Sequence, residues 1–199
     1  MSQFLETIRI ENGEPLNLAY HQNRLTSTQS YNCKSYIKIN LEKIIVTPLA
    51  YRFGTVKCRI IYGQKLEQVS YEVYKPLKIN NLTLIESQLD YKYKNTNRNE
   101  LDELRQKALN LGADEVLIIK NGWITDTSYS NVAFFDGKNW VTPSTPLLKG
   151  TQRQFLLDKK IVIEKDITVE NLYYFEKVLL INAMLGFDIH KAFSTKNIS

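Results

Sequence analysis

Four short stretches of this sequence carry residues whose types and spacing could do chemistry. In LLKGTQRQ, 147–154, a glycine and then a hydroxyl residue stand at the start of a helical pattern. Leftover backbone N–H groups and the positive end of the helix dipole make such a start an anion site. Thr151 acting as a plain N-cap gives the same pattern. In ITDTSYSN, 124–131, the carboxylate of Asp126 leaves a strand and is followed by hydroxyl residues and Asn131. This group could hydrogen-bond a ligand, or close an Asx-type turn at a sheet edge. Lys94 lies in the polar run DYKYKNTN, with Lys92 two residues before it and Tyr91 and Tyr93 alongside. A lysine becomes a nucleophile, or condenses with a carbonyl, only where desolvation or a nearby cation lowers its pKa. A solvated linker is the plain alternative. Finally, His21 and Arg24 stand one turn apart on a helical stretch. The planar fork of Arg24 could grip a phosphate, or simply face solvent.

The elements that must position these residues can be read from periodicity. Phe4 to Ile10 predicts a strand, turned by Asn12-Gly13 into a return through Leu16 and Leu18. A helix is expected over 20–31 and a second helical piece over 37–45. Strands follow over 55–62 and 69–75 around Gly63-Gln64, with a short one over 82–87. Leu89 to Asn97 is polar and lacks a clear period, which marks a boundary between two halves. The expected organisation is an N-terminal α+β domain over 1–90, a connecting segment over 91–97, and a C-terminal domain over 98–199. In the second half, Leu101, Leu104, Ala108 and Leu111 follow helical spacing, with Gly112 placed as a C-terminal cap. Val116 to Ile119 and Trp123 to Thr125 form a hairpin through Asn121-Gly122, and Val132 to Phe135 pairs with Trp140 to Thr142 through Asp136-Gly137. A short helix over 151–157, a strand over 161–164, a helix over 169–175 capped by Thr168, and a strand over 177–181 complete the reading.

Composition narrows the class. The chain has 199 residues, 43% hydrophobic and 24% charged, which suits one large domain or two small ones with a real core. Its formal net charge is +5, but the 26 basic residues are spread out, with no basic run and no nucleic-acid motif. A solvated lysine-rich surface is therefore expected, not a nucleic-acid partner. Cys33 and Cys58 are far apart and read as reduced packing thiols, and the two isolated histidines make a metal site unexpected. No apolar run approaches the ~18 residues that a membrane span needs, and MSQFLETIRI has no apolar leader core. A cytoplasmic protein is expected.

Taken in order, the stretches resemble one family. FLETIRIENGEPLNLAYHQNRL, 4–25, resembles the F-E-T-[IV]-R…H-x-x-R-L opening of the class IV aminotransferases, the fold-type IV pyridoxal-phosphate enzymes. KNTNRNEL, 94–101, is similar to the family's lysine segment, and 113–143 to its core, A-D-E-x-[IL]-x-x-x-x-G-x-[IV]-x-E-x-x-x-x-N-[IV]-F. LLKGTQRQFLL, 147–157, is similar to L-x-G-[IV]-x-R. The resemblance runs from residue 4 to about residue 190. It implies a two-domain α+β fold of the D-amino-acid aminotransferase type, with a small N-terminal domain and a larger β-rich C-terminal domain flanked by helices.

The resemblance also implies roles. Pyridoxal 5'-phosphate would be the cofactor. Lys94 would hold it covalently and shuttle protons, chosen over Lys92 because Lys94 stands in K-x-x-N-R spacing to Asn97 and Arg98. Arg24, the backbone of Thr151 and Gln152, and Asn182 in the INAM turn would bind its phosphate. Asn131 would belong to the same cofactor site. Asp126 stands where the family has a glutamate that keeps the pyridine nitrogen protonated, one methylene shorter. Arg59 would meet a substrate carboxylate. K-x-x-N-R, INAM and Thr127 after Asp126 resemble the 4-amino-4-deoxychorismate lyase branch. The implied reaction forms 4-aminobenzoate and pyruvate for folate synthesis. An aminotransferase of the branched-chain or D-amino-acid type is the alternative, and a non-catalytic cofactor-binding homologue the second. A homodimer acting on an amino-acid-like small molecule, with the site between the two domains, is implied too. The chain starts at the F-E-T motif, so an upstream segment of roughly 25 residues, about two short strands and their connections, is expected to be missing from the small domain and substrate pocket.

Overall fold

The computed structural model describes residues 3–199. They pack as two compact units, one of residues 3–76 with Tyr93–Asn97, the other of Leu77–Lys92 with Arg98–Ser199.

The first unit is a sheet under one long helix. Strand β1 (Phe4–Glu11) turns through Asn12-Gly13, both at positive φ, into the short β2 (Glu14–Pro15). The return therefore ends before Leu16, and Leu18 opens the helix α1 (Leu18–Asn32). After it come α2 (Leu41–Ile44), β3 (Thr55–Tyr62) and β4 (Leu66–Val73). The helical piece expected over 37–45 shrinks to one turn, capped by the Asn40 side chain on the Lys43 N–H. The sheet order is β2-β1-β3-β4, antiparallel throughout. Alternation along β1 and β3 buries Phe4, Ile8, Ile10, Val56, Cys58, Ile60 and Tyr62 together with Leu25 of α1. Cys58 belongs to this core, and burial pushes its thiol up to about 11.

Segment 93–97 joins this unit through its backbone. It runs beside the start of β1: Leu5 N–H donates to Lys94 O at 2.9 Å, Thr96 N–H to Gln3 O at 3.0 Å, and Phe4 bridges Asn95. The Tyr93 ring lies 6.3 Å from Phe4 and 6.5 Å from Tyr31.

In the second unit, β5 (Leu82–Glu86) pairs in parallel with β6 (Glu115–Lys120) across the helix α3 (Asn99–Asn110). This pairing draws 77–92 into the second unit and replaces the expected boundary after residue 90. Leu101, Leu104 and Ala108 bury one face of α3. Gly112, at φ 83°, ends it: Ala113 N–H donates to Ala108 O and Gly112 N–H to Leu109 O, the Schellman pattern. Leu111 stands at the C-cap and is exposed, so it leaves the apolar stripe that its spacing suggests.

Strand β7 (Trp123–Thr127) returns antiparallel to β6 through Asn121-Gly122, giving the order β5-β6-β7. A second sheet follows: β8 (Asn131–Phe135), β9 (Trp140–Pro143), β10 (Ile163–Lys165), β11 (Lys177–Ile181) and β12 (Phe193–Ser194), in the order β10-β9-β8-β11-β12. The helix α4 (Thr151–Asp158) connects β9 to β10. No α-helix forms over 169–175. Thr168 and Asn171 bond each other's backbone N–H groups, and only a 3-10 turn, Leu172–Tyr174, follows. Residues 197–199 finish the free edge of β5, with Leu84 N–H donating to Ser199 O and Ser199 N–H to Leu82 O. Among the described residues no helix is long and apolar enough to cross a membrane.

Candidate functional site

The first unit holds a buried charge cluster beneath α1. In β1 the face that packs on the helix is Phe4, Glu6, Ile8 and Ile10, so a carboxylate falls into an apolar row. Glu6 is fully buried, and charge-assisted donors surround it. Arg24 grips it with both prongs, Nε to Oε1 at 2.8 Å and Nη2 to Oε2 at 2.6 Å, and His21 Nδ1 lies 2.6 Å from Oε2. Burial pushes the Glu6 carboxyl up, but the charge of Arg24 and these bonds outweigh it and hold it at about 2. His21 is held below its ordinary value, chiefly by burial, against the pull of Glu6 and with the charges of Arg24 and Lys94 adding to the depression. Lys94 is thus close enough for its charge to act at His21. It is half-buried in this unit, whereas Lys92 is exposed and belongs to the other.

Arg59 is not part of this cluster. It pairs in register with Thr7 and Ser70 and is exposed on the sheet face opposite Glu6. Glu6 is the residue that spacing alone did not single out. The signal was present: a charged residue at an apolar-face position of β1, matched by His21 and Arg24 one turn apart on the next helix.

This cluster sets an acid limit on stability. An unfolded glutamate titrates near 4.5 and Glu6 near 2, so its contribution is complete above 4.5 and is lost as pH falls toward 2. His21, depressed below 6.5, adds a loss of the same sign as pH falls through its unfolded value. Glu6→Gln should remove about 3 kcal/mol of the pH dependence between pH 4.5 and 2. Urea denaturation across that range measures it, and an unaltered acid slope in Glu6→Gln would contradict the assignment.

In the second unit, Asp126 points inward from β7, just before a tight turn. Thr127 closes that turn, its Oγ1 accepting from Ser130 N–H at 3.0 Å. The turn is backed by buried Glu115, which accepts from Ser128 N–H and lies 3.1 Å from Arg105 Nε. Asp126 Oδ1 accepts from Asn131 Nδ2 at 2.7 Å, and Oδ2 accepts from Leu148 N–H at 2.9 Å. Burial pushes its carboxyl up to about 6, tempered by these two donors and by the charge of Arg153. The donors to it are an amide and backbone N–H groups of the 147–148 stretch, and among the described residues no cation is bonded to this buried carboxylate.

The loop after Leu148 leads to α4, whose first turn is Thr151, Gln152 and Arg153, all buried. Gly150 is the N-cap and supplies no capping side chain. Arg153 turns away, donating from Nη2 to Pro143 O at 2.8 Å and Glu164 Oε1 at 2.6 Å. Asn182 braces two turns. Its Nδ2 donates to Ser130 Oγ at 2.8 Å, and its Oδ1 accepts from Met184 and Leu185 N–H groups. Asp126, Asn131 and the 147–151 loop are therefore one bonded group, with Asn182 joined through the turn at Ser130.

A buried carboxylate without a bonded cation suits a protonated ring nitrogen. A helix start at a glycine suits a phosphate. In the first unit, a guanidinium fixed by a buried carboxylate suits an anion too. Taken by itself, each unit carries residues that fit part of a pyridoxal-phosphate group.

Comparison with known proteins points the same way. The sequence profile of the family described as amino-transferase class IV matches residues 3–191. A protein of Haemophilus influenzae is 37% identical over 189 residues, covering 94% of this chain and all of that one. The crystal structure of a Haemophilus somnus protein provisionally assigned as a 4-amino-4-deoxychorismate lyase is 34% identical. It superposes with a TM-score of 0.87 and covers 94% of this chain and 98% of that one. A hypothetical aminotransferase of Mycobacterium tuberculosis, solved with pyridoxal phosphate bound, shares the fold at 16% identity, with a TM-score of 0.80 over 99% of this chain and 81% of its own.

Proposed function

Because the chain belongs to the class IV aminotransferase family, we propose that it is a pyridoxal-phosphate enzyme and acts as a 4-amino-4-deoxychorismate lyase. The observation that carries the cofactor reading is Asp126, a buried carboxylate bonded to an amide and backbone N–H groups and, among the described residues, to no cation. The lyase reading is supported by the spacing of Lys94, Asn97 and Arg98, by the INAM turn at 181–184, and by likeness to the Haemophilus somnus protein.

When bound, the cofactor supplies an electron sink that lets a proton leave the carbon bearing the substrate amino group. The chain's own residues hold and steer. Asp126 would accept from the ring nitrogen and keep it protonated. By the resemblance, Arg24 would hold the phosphate, as would the backbone N–H groups of Thr151 and Gln152. Lys94 Nζ takes the proton from the ring carbon that carries the amino group. It then gives a proton to the enolpyruvyl methylene as the C–O bond breaks, so 4-aminobenzoate and pyruvate leave with no oxidant and no second substrate.

The deciding assay supplies 4-amino-4-deoxychorismate to the purified protein with pyridoxal phosphate. Release of 4-aminobenzoate and pyruvate in equal amounts, with no keto acid present, is the expected result. Turnover that depends on an amino acid and a keto acid would assign the chain to the aminotransferases instead.

A further inference from the structure

Asn131 has two amide hydrogens, and both are used. Nδ2 donates to Asp126 Oδ1 at 2.7 Å and to Leu148 O at 2.8 Å. Leu148 in turn donates its N–H to Asp126 Oδ2 at 2.9 Å. Three groups thus close a ring: the carboxylate, the amide and one residue of the loop that leads into α4, through its own N–H and C=O. The other side of the amide is walled. A Cβ built on Gly150 would lie 2.0 Å from Asn131 Oδ1, so the N-cap of α4 is a glycine because the amide fills the place of its side chain. The amide can neither swing toward Gly150 nor turn over without setting Oδ1 against two acceptors.

We propose that Asn131, seated against Gly150, is the positioning residue of the site. Its amide fixes where the Asp126 carboxylate sits and which hydrogen bonds it receives, and ties it to the start of α4. It acts through Asp126. The short side chain of Asp126 has two rotatable torsions, so a bond on each oxygen leaves it no freedom. A glutamate at the same place would have a third torsion to immobilise. The amide also donates to the charged form of Asp126. Without it the carboxyl keeps its burial and loses a donor, and ionises less readily. A neutral Asp126 could not hold a protonated ring nitrogen. This inference rests on the cofactor reading above, and its test separates the two.

The first measurement needs no cofactor. The Asp126 carboxyl is titrated in the cofactor-free full chain by carbon-13 NMR, assigned by its absence in Asp126→Asn. From its wild-type value near 6, the midpoint should rise by about one pH unit in Asn131→Ala, for loss of one charge-assisted bond. Gly150→Ala, which pushes the amide instead of removing it, should move it the same way and serves if Asn131→Ala does not fold. The second measurement is the dissociation constant of pyridoxal phosphate, followed by fluorescence. Asn131→Ala should weaken it about tenfold in the wild-type background and leave it unchanged in the Asp126→Asn background. An unmoved Asp126 midpoint, or the same tenfold loss in both backgrounds, overturns the proposal. If the wild type fails to bind pyridoxal phosphate while the midpoint still moves, the positioning role stands and the cofactor reading falls.

Discussion

Lys94→Ala should abolish the near-ultraviolet to visible absorbance band that pyridoxal phosphate gives when a lysine holds it covalently. Turnover should fall by a factor on the order of 10⁴ or more, the scale of losing a nucleophile that also moves protons. Lys92→Ala should leave both nearly unchanged. The two lysines differ by two residues in sequence and by a great deal in structure. The Lys94 carbonyl accepts from Leu5 N–H on the edge of β1, and its neighbours Asn95 and Thr96 are bridged or bonded to Phe4 and Gln3. Its side chain is half-buried, and its charge reaches His21. Lys92 is exposed and belongs to the other unit. A spectrum before and after borohydride, taken on both variants, settles the choice. A colourless Lys92→Ala protein beside a coloured Lys94→Ala protein would reverse it.

Arg24→Ala should destabilise the cofactor-free protein by about 3–5 kcal/mol, beyond what a half-exposed helix arginine would contribute. Glu6 has no access to solvent, and Arg24 provides two of its three close donors. Removing the guanidinium leaves a buried carboxylate with His21 alone, and burial already holds His21 against ionising. Arg24→Lys should lie between, because an ammonium cannot reproduce the fork. The double variant Glu6→Gln, Arg24→Ala should be more stable than Arg24→Ala, since it removes the orphaned charge. Urea denaturation of the four proteins reads all three expectations. An Arg24→Ala protein within about 1 kcal/mol of wild type, the range of surface ion pairs, would show that the fork carries little. The same variant should also bind pyridoxal phosphate more weakly.

Much of this was legible in the residues themselves. Apolar alternation marks β1 and β3, and Asn-Gly pairs at 12–13 and 121–122 mark the turns. Gly112 marks the end of α3, which Leu111, though apolar and in phase, does not extend. These signals are local, so a sequence displays them. The family resemblance, not periodicity, points to Lys94, Arg24 and Asp126. What escaped was set by partners far along the chain. The stretch 93–97 has no strand period because its pairing uses backbone groups, which every residue type possesses. Leu82 to Glu86 looks like another strand of the first half, yet its partner is Glu115–Lys120. Glu6 appears as a motif letter, and only the fold shows the fork that gives it a task. The resemblance implies Asn131 in the cofactor site, and only the fold shows its amide bonded to Asp126 and Leu148.

The pairing of 93–97 with β1 also bears on how the protein can be made and taken apart. The first unit is written in two pieces of chain, with β5 of the second unit between them. During synthesis, β1 emerges some ninety residues before the segment that covers its edge, so this unit cannot finish folding as a leading domain. A fragment stopped at Pro76 would present a bare strand edge at Gln3, Phe4 and Leu5, an invitation to pair with another copy. It would also lack Lys94. Dissection by truncation therefore yields neither unit intact. Chimaeras between relatives should exchange 3–76 and 93–97 together, as one inheritance.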